Sequence, residues 1–297
     1  MGRNALYNSP ADRALDAIVY AASVLLIAVT LYPLIYVVAI SFSSRLPLEQ
    51  GRVYLWPIDF TWAAYLKVFT HPLLARSYGN TLIYAIGGTA YSMVLTILGA
   101  YGCAKRGMPG RNFFTFFITF TMLFSGGLIP TFLTVNRLGL FNTMWALLLP
   151  CAVSPWNMIV IRTAMLGVPA SLEESAVIDG ANDLSVLWHI HYPLSLASIA
   201  TIALFYLVGR WNDYFSALIY LNNSSLFPVQ LVIRGLLVSM TDTITFANAQ
   251  TSNEALAFSP LAFKGAVVVI TTLPIMCVYP FLQRYFVKGM MIGAIKG

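Results

Sequence analysis

The stretch SLEESAVIDGANDLSVLWHIH, which starts at Ser171, holds four carboxylates, Glu173, Glu174, Asp179 and Asp183, and two histidines, His189 and His191. Paired carboxylates can serve as general acid and base, and carboxylate–imidazole sets can ligate a metal. The other parts of such chemistry are missing. Cys103, Cys151 and Cys277 stand far apart in apolar runs, with no CxxC pair or Cys/His cluster. No nucleophile with a base and an orienting group emerges, and there is no GxxxxGK[ST] phosphate loop. The sequence therefore points to no enzyme, no metal site and no ATP site of its own. The histidines read as groups meeting solvent or a partner. A second polar group, GRWNDYF from Gly209, sets Arg210 and Asp213 at i, i+3 on one helix face within an apolar run. A charge pair at membrane depth is costly and usually faces a polar cavity, although a long arginine arm can also snorkel outward.

These residues need elements to hold them, and composition says which kind. Of the 297 residues, 59% are apolar and 9% charged, and the mean hydropathy is +0.76. Soluble domains carry roughly a quarter charged residues. The chain is thus expected to be an all-α polytopic membrane protein. A span needs about 20 apolar residues, and six runs qualify: 17–44, 77–104, 112–136, 138–161, about 195–221 and 265–283. The first run is longer than a signal-peptide core and reads as an uncleaved span. The net charge of +6 fits Lys and Arg kept on cytoplasmic loops, not nucleic-acid binding. The short KRGMPGR loop from Lys105 is the strongest orientation signal, and with six spans both termini are expected in the cytoplasm. Residues 43–76 and 222–263 would be outside loops. The first includes TWAAYLKVFTHPLLARS, a candidate interfacial helix around His71.

The opening segment then lies inside, as two short helices. Ser171 with Glu174 fits a capping box behind Pro169. Gly180 allows a turn, and Asn182 or Asp183 can cap the second helix. Leu184, Leu187, Trp188 and His191 are spaced to form one apolar and aromatic face. That face must bury against the membrane surface, the protein's own bundle, or a groove on a partner.

The residues EESAVIDGAND resemble the EAA motif of bacterial ABC importer permeases, with Glu174, Ser175, Ala176 and Gly180 on its positions and Ser175 a mild departure. GGLIPTFL, LGLFNTMWALLLP, RTAMLGVPASLEE, GRWNDYF and QRYFVKGMMIGAIKG follow in the order seen in carbohydrate-uptake permeases of the maltose type, in their LplC/YtcP-like oligosaccharide branch. The resemblance implies a type I importer permease fold. It would have a cytoplasmic N-terminus (1–16), a six-span domain (17–284) with a coupling loop at about 166–194, and a cytoplasmic tail (285–297). It implies a bacterial cytoplasmic membrane, a second homologous permease, two ATPase subunits carrying ATP and Mg, an extracytoplasmic solute-binding protein and a carbohydrate substrate. Glu173, Glu174, Ser175, Ala176, Asp179, Gly180, Leu184, Leu187 and Trp188 would meet the ATPase, and Gly293 and Lys296 in the tail would reach toward it. Arg210, Trp211, Asn212, Asp213, Asn157 and Tyr84 are candidates for the sugar path. Trp211 could stack on a sugar face and Asn212 could bond hydroxyls, against ordinary packing for each. Permeation of a polyol or other small solute is the nearest alternative. A secondary transporter or channel is the next, but the only intramembrane acid is Asp213, beside Arg210.

Overall fold

The computed structural model describes residues 10–70, 73–246 and 259–294, all of the regular structure among them helical. In chain order the helices are α1 (Pro10–Ser41), α2 (Arg45–Glu49), α3 (Ala63–Phe69), α4 (Leu74–Ala104), α5 (Arg111–Leu123), α6 (Leu128–Arg137) and α7 (Trp145–Leu148). They continue as α8 (Pro155–Leu166), α9 (Ala170–Ile178), α10 (Asp183–Leu194), α11 (Leu196–Asn212), α12 (Phe215–Tyr220), α13 (Val229–Phe246) and α14 (Pro260–Ala294). Wider π turns interrupt α4 at Ile83–Gly87 and α10 at Leu187–His191.

Among the described residues three helices are long and apolar enough to cross a membrane: α1 from Ala14, α4, and α14 to Cys277. The count reaches five if two bent pairs are each one span, α5 with α6 at 116° and α10 with α11 at 85°. The run 112–136 is therefore not a single straight helix. It breaks at Phe124–Gly127, where Gly127 takes a φ of +81°. Nor is 138–161 one helix. Gly139 and Asn142 turn at φ +69° and +59°, α7 lasts one turn, and α8 begins only at Pro155. Uncharged runs reveal apolarity but not these turns, and a proline can open a helix where it cannot continue one. The run 195–221 divides after Asn212. The stretch 222–263, expected to be an outside loop, carries α13, and α14 continues past the expected end at 283 through Pro274 and Pro280. His71 lies outside the described residues, as do the first nine residues.

The chain forms two units. The first comprises residues 1–71 and 239–272. In it α14 comes close to α1 at Gly265, where an added Cβ would sit 3.0 Å from Ile40 and 3.1 Å from the Val37 carbonyl. The rings of Phe42, Phe60, Trp62 and Tyr65 form one cluster, and Ser41 Oγ and Tyr65 OH share a hydrogen bond of 2.9 Å. The second unit comprises residues 72–238 and 273–297. It has two apolar cores. One joins α4, α8 and α11 through Met93, Ile97, Tyr101, Met158, Ile161 and Ile202. The other gathers Tyr84, Val135, Leu147, Ala217, Tyr220 and Leu231. The first core carries the polar segment, and a polar cleft opens beside Tyr206.

Candidate functional site

The polar segment is α9, a turn and α10. Pro169 precedes α9 at φ −58°, and no side chain caps it. Ser171 lies inside the first turn, so the expected Ser171–Glu174 capping box does not form. With Pro169 at the N-cap the helix starts two residues too early for it. The far end of α9 closes by a Schellman motif: the Gly180 N–H donates to the Val177 carbonyl at 3.0 Å and the Ala181 N–H to that of Ala176 at 2.9 Å. Gly180 sits at φ +85°, where a Cβ is costly. Asn182 Oδ1 then accepts the Ser185 N–H at 2.9 Å and caps α10, as the sequence suggested.

The segment is keyed into the protein on one side and bare on the other. Ala176, Ala181, Val186 and Leu187 pack into the core made by the ends of α4, α8 and α11, with Leu187 0% exposed. Ile178 (85%), Leu184 (60%) and Trp188 (51%) lie open, as does Val177. The expected single face of Leu184, Leu187, Trp188 and His191 is thus divided. Leu184 and Trp188 form one i, i+4 row, Leu187 and His191 the neighbouring row, and the edge of the core runs between them. Polar contacts fix the buried edge. Lys105 Nζ donates to Asp183 Oδ1. His191 Nε2 stands 3.6 Å from Glu173 Oε2, beyond hydrogen-bond distance, and its ring meets that of Tyr101 edge-on at 5.2 Å. Glu174, Ser175 and Asp179 are exposed.

The second feature is a cleft of about 370 Å³ lined by residues that include Ser154, Asn157, Tyr206, Arg210, Asn212 and Asp213. Arg210 and Asp213 do not pair. Helix α11 ends at Asn212, and Asp213 turns into an extended conformation that breaks the i, i+3 register. Its Oδ1 instead accepts the Ser216 N–H at 3.0 Å, at the start of α12. Arg210 reaches across α4. Its Nη2 donates to Ser92 Oγ at 2.8 Å and to the Cys151 carbonyl at 3.3 Å, and its Nη1 to the Leu147 carbonyl at 3.3 Å. Gly88 makes room for this arm, since a Cβ there would lie 2.8 Å from Arg210 Cδ.

Trp211 points elsewhere, one residue on and so about 100° around the helix. It is buried, 6.5 Å from the Tyr78 ring, and lines a separate apolar cleft of about 190 Å³ with Leu82, Ile86, Leu204 and Pro274. The Tyr84 hydroxyl donates to the Leu226 carbonyl at 2.8 Å, and Tyr84 is not among the residues lining the Arg210 cleft. Four of the six candidate path residues thus share one cleft. Gly293 falls within α14, and Lys296 lies outside the described residues.

The sequence profile of the family described as "Binding-protein-dependent transport system inner membrane component" matches residues 1–292. The chain belongs to this family. Protein LplC of Bacillus subtilis is 46% identical over 91% of this permease and 90% of its own length. The polygalacturonan/rhamnogalacturonan transport system permease protein YtcP of the same organism is 39% identical over 96% and 99%. The crystal structure of a bacterial ABC transporter involved in the import of the acidic polysaccharide alginate superposes with a TM-score of 0.88 at 35% identity, covering 95% of this chain and 100% of that one. The all-helical permease has the ABC type I fold.

Several residues of the permease that position its site were not singled out from sequence. Ser92 and Gly88 fix Arg210, and only the adjacent pair Gly87–Gly88 inside a span could have hinted at it. Asn80 Nδ2 donates to the carbonyls of Ser225 at 2.8 Å and Phe227 at 3.1 Å, and Thr81 Oγ1 accepts the Val229 N–H at 2.8 Å. Two polar side chains at the start of an apolar helix are the signal there.

Proposed function

We propose that this permease is one of two homologous membrane subunits of an ATP-driven importer for oligosaccharides, received from an extracytoplasmic solute-binding protein. Its six crossings would count the bent and broken runs as spans, with both termini in the cytoplasm of a bacterium. Two separate ATPase subunits, carrying ATP and Mg, would seat the polar segment in a groove. The observation that carries this reading is the two-sided segment. Val177, Ile178, Leu184 and Trp188 are apolar and exposed, while Leu187 and its neighbours lock the same segment onto α4, α8 and α11. A tilt imposed on the exposed side must pass to helices that also carry Asn157 and Arg210. Oligosaccharide as substrate is supported by relatives named for polygalacturonan, rhamnogalacturonan and arabinooligosaccharides, and by the alginate importer.

Ile178→Asp and Trp188→Asp test the reading, because both side chains are outside the core and the charge opposes burial against a partner. We expect the two variants to reach the membrane in normal amount but to co-purify with far less ATPase. Undiminished ATPase in both would contradict the docking role.

A further inference from the structure

The polar cleft holds a guanidinium in an unusual state. All three acceptors that Arg210 reaches are neutral: the Ser92 hydroxyl and the carbonyls of Leu147 and Cys151, at the C-terminal end of the short helix α7. Its Nε is buried with no acceptor. The carboxylate that shares the cleft, Asp213, makes no ion pair with it and is held by the Ser216 N–H. A cation fixed by dipoles beside a low-dielectric wall attracts an anion far more strongly than one in water. The arm is also preorganised, because Gly88 clears its path and Ser92 fixes its end, so little rotamer freedom is lost on contact. A second side chain in the same cleft is uncommitted. Asn157 is 7% exposed, lines the cleft, and its side-chain amide makes no hydrogen bond among the described residues.

We propose that this cleft is a transit subsite for an acidic oligosaccharide, one whose sugar units carry carboxylates. Arg210 meets the carboxylate, and Asn157 and the carbonyl of Asn212 meet ring hydroxyls. Asp213 in the same cleft keeps the anion from being held too long, as conduction through any path needs sites that release as well as bind. This inference rests on the importer reading, whose supporting relatives are named for polygalacturonan and the acidic polysaccharide alginate, and adds to it the residue that senses the charge.

The test uses the whole complex in nanodiscs, the permease with its partner permease and ATPase subunits. Equilibrium binding of trigalacturonate and of the neutral galactotriose is measured without the binding protein. We expect the unaltered complex to favour the acid over the neutral trisaccharide at least tenfold at low salt, with the ratio shrinking as salt rises. Arg210→Gln should bring the ratio near one, and Arg210→Lys should keep most of it. Gly88→Ala leaves the charge in place but displaces the arm, and should lower the ratio even if Arg210→Gln fails to assemble. A ratio near one in the unaltered complex, or one that Arg210→Gln and Gly88→Ala leave intact, overturns the proposal. Binding-protein stimulation of ATP hydrolysis in the same nanodiscs separates the two readings. Stimulation without acid preference sinks this inference alone, and absent stimulation removes the importer reading with it.

Discussion

Replacing Gly180 by alanine probes the turn that joins α9 to α10 without touching any neighbour. An added Cβ would meet nothing within 4 Å, so packing contributes no penalty. What remains is the backbone cost at φ +85°, about 1–2 kcal/mol for an L-residue in the left-handed region. Taking the lower value, the opening equilibrium of the Schellman motif shifts about fivefold, since about 1.4 kcal/mol is tenfold. Hydrogen exchange across residues 176–182 of the intact complex should then quicken about fivefold, while peptides in α8 stay as they were. Asparagine, which tolerates this conformation, should recover part of the loss. Proline cannot reach φ +85° and has no N–H for the Val177 carbonyl, so it should abolish protection. Coupled ATP hydrolysis should fall in the order Gly, Asn, Ala, Pro. An alanine variant that exchanges like the unaltered protein, or a proline variant no worse than alanine, would refute the reasoning.

Other substitutions separate support from contact. Leu187→Ala empties a fully buried position and should cost about 2–5 kcal/mol, read as a lowered melting temperature and a poor yield. Leu184→Ala, on the open row, should change stability by less than about 0.5 kcal/mol yet weaken ATPase retention. Asn80→Ala strips a donor from the carbonyls of Ser225 and Phe227 and should cost about 1–3 kcal/mol, with faster exchange confined to residues 224–229. Tyr84→Phe loses one hydrogen bond to Leu226, about 1 kcal/mol, and should leave sugar preference unchanged in uptake assays; an altered preference would return Tyr84 to the path.

Much of the α9–α10 segment was legible in the sequence because its signals are local. Gly180 behind Ala176 and the Asn182 cap each act within four residues, and both appear where the spacing set them. The division of the α10 face was not legible. Whether Leu184 or Leu187 goes inward depends on where α4, α8 and α11 end, and no periodicity within α10 carries that. The Arg210–Asp213 pair failed for a similar reason. The i, i+3 rule assumes a helix that continues, whereas α11 stops at Asn212 and Arg210 finds Ser92, 118 residues away in sequence. The break at Gly139 escaped a reading based on uncharged runs because glycine interrupts a helix without interrupting its apolarity, whereas FSGG, with Gly126 and Gly127, does read as a hinge or a close helix approach, and the chain bends there.

The most direct test is ATP hydrolysis by the reconstituted importer, the permease with its partner subunits, with and without sugar-loaded binding protein. The intact complex should be stimulated, and Leu184→Asp together with Trp188→Asp should lose stimulation while the chain remains folded and inserted. Stimulation that persists with both exposed residues charged, or that never arises in the intact complex, would contradict coupling through the α9–α10 segment.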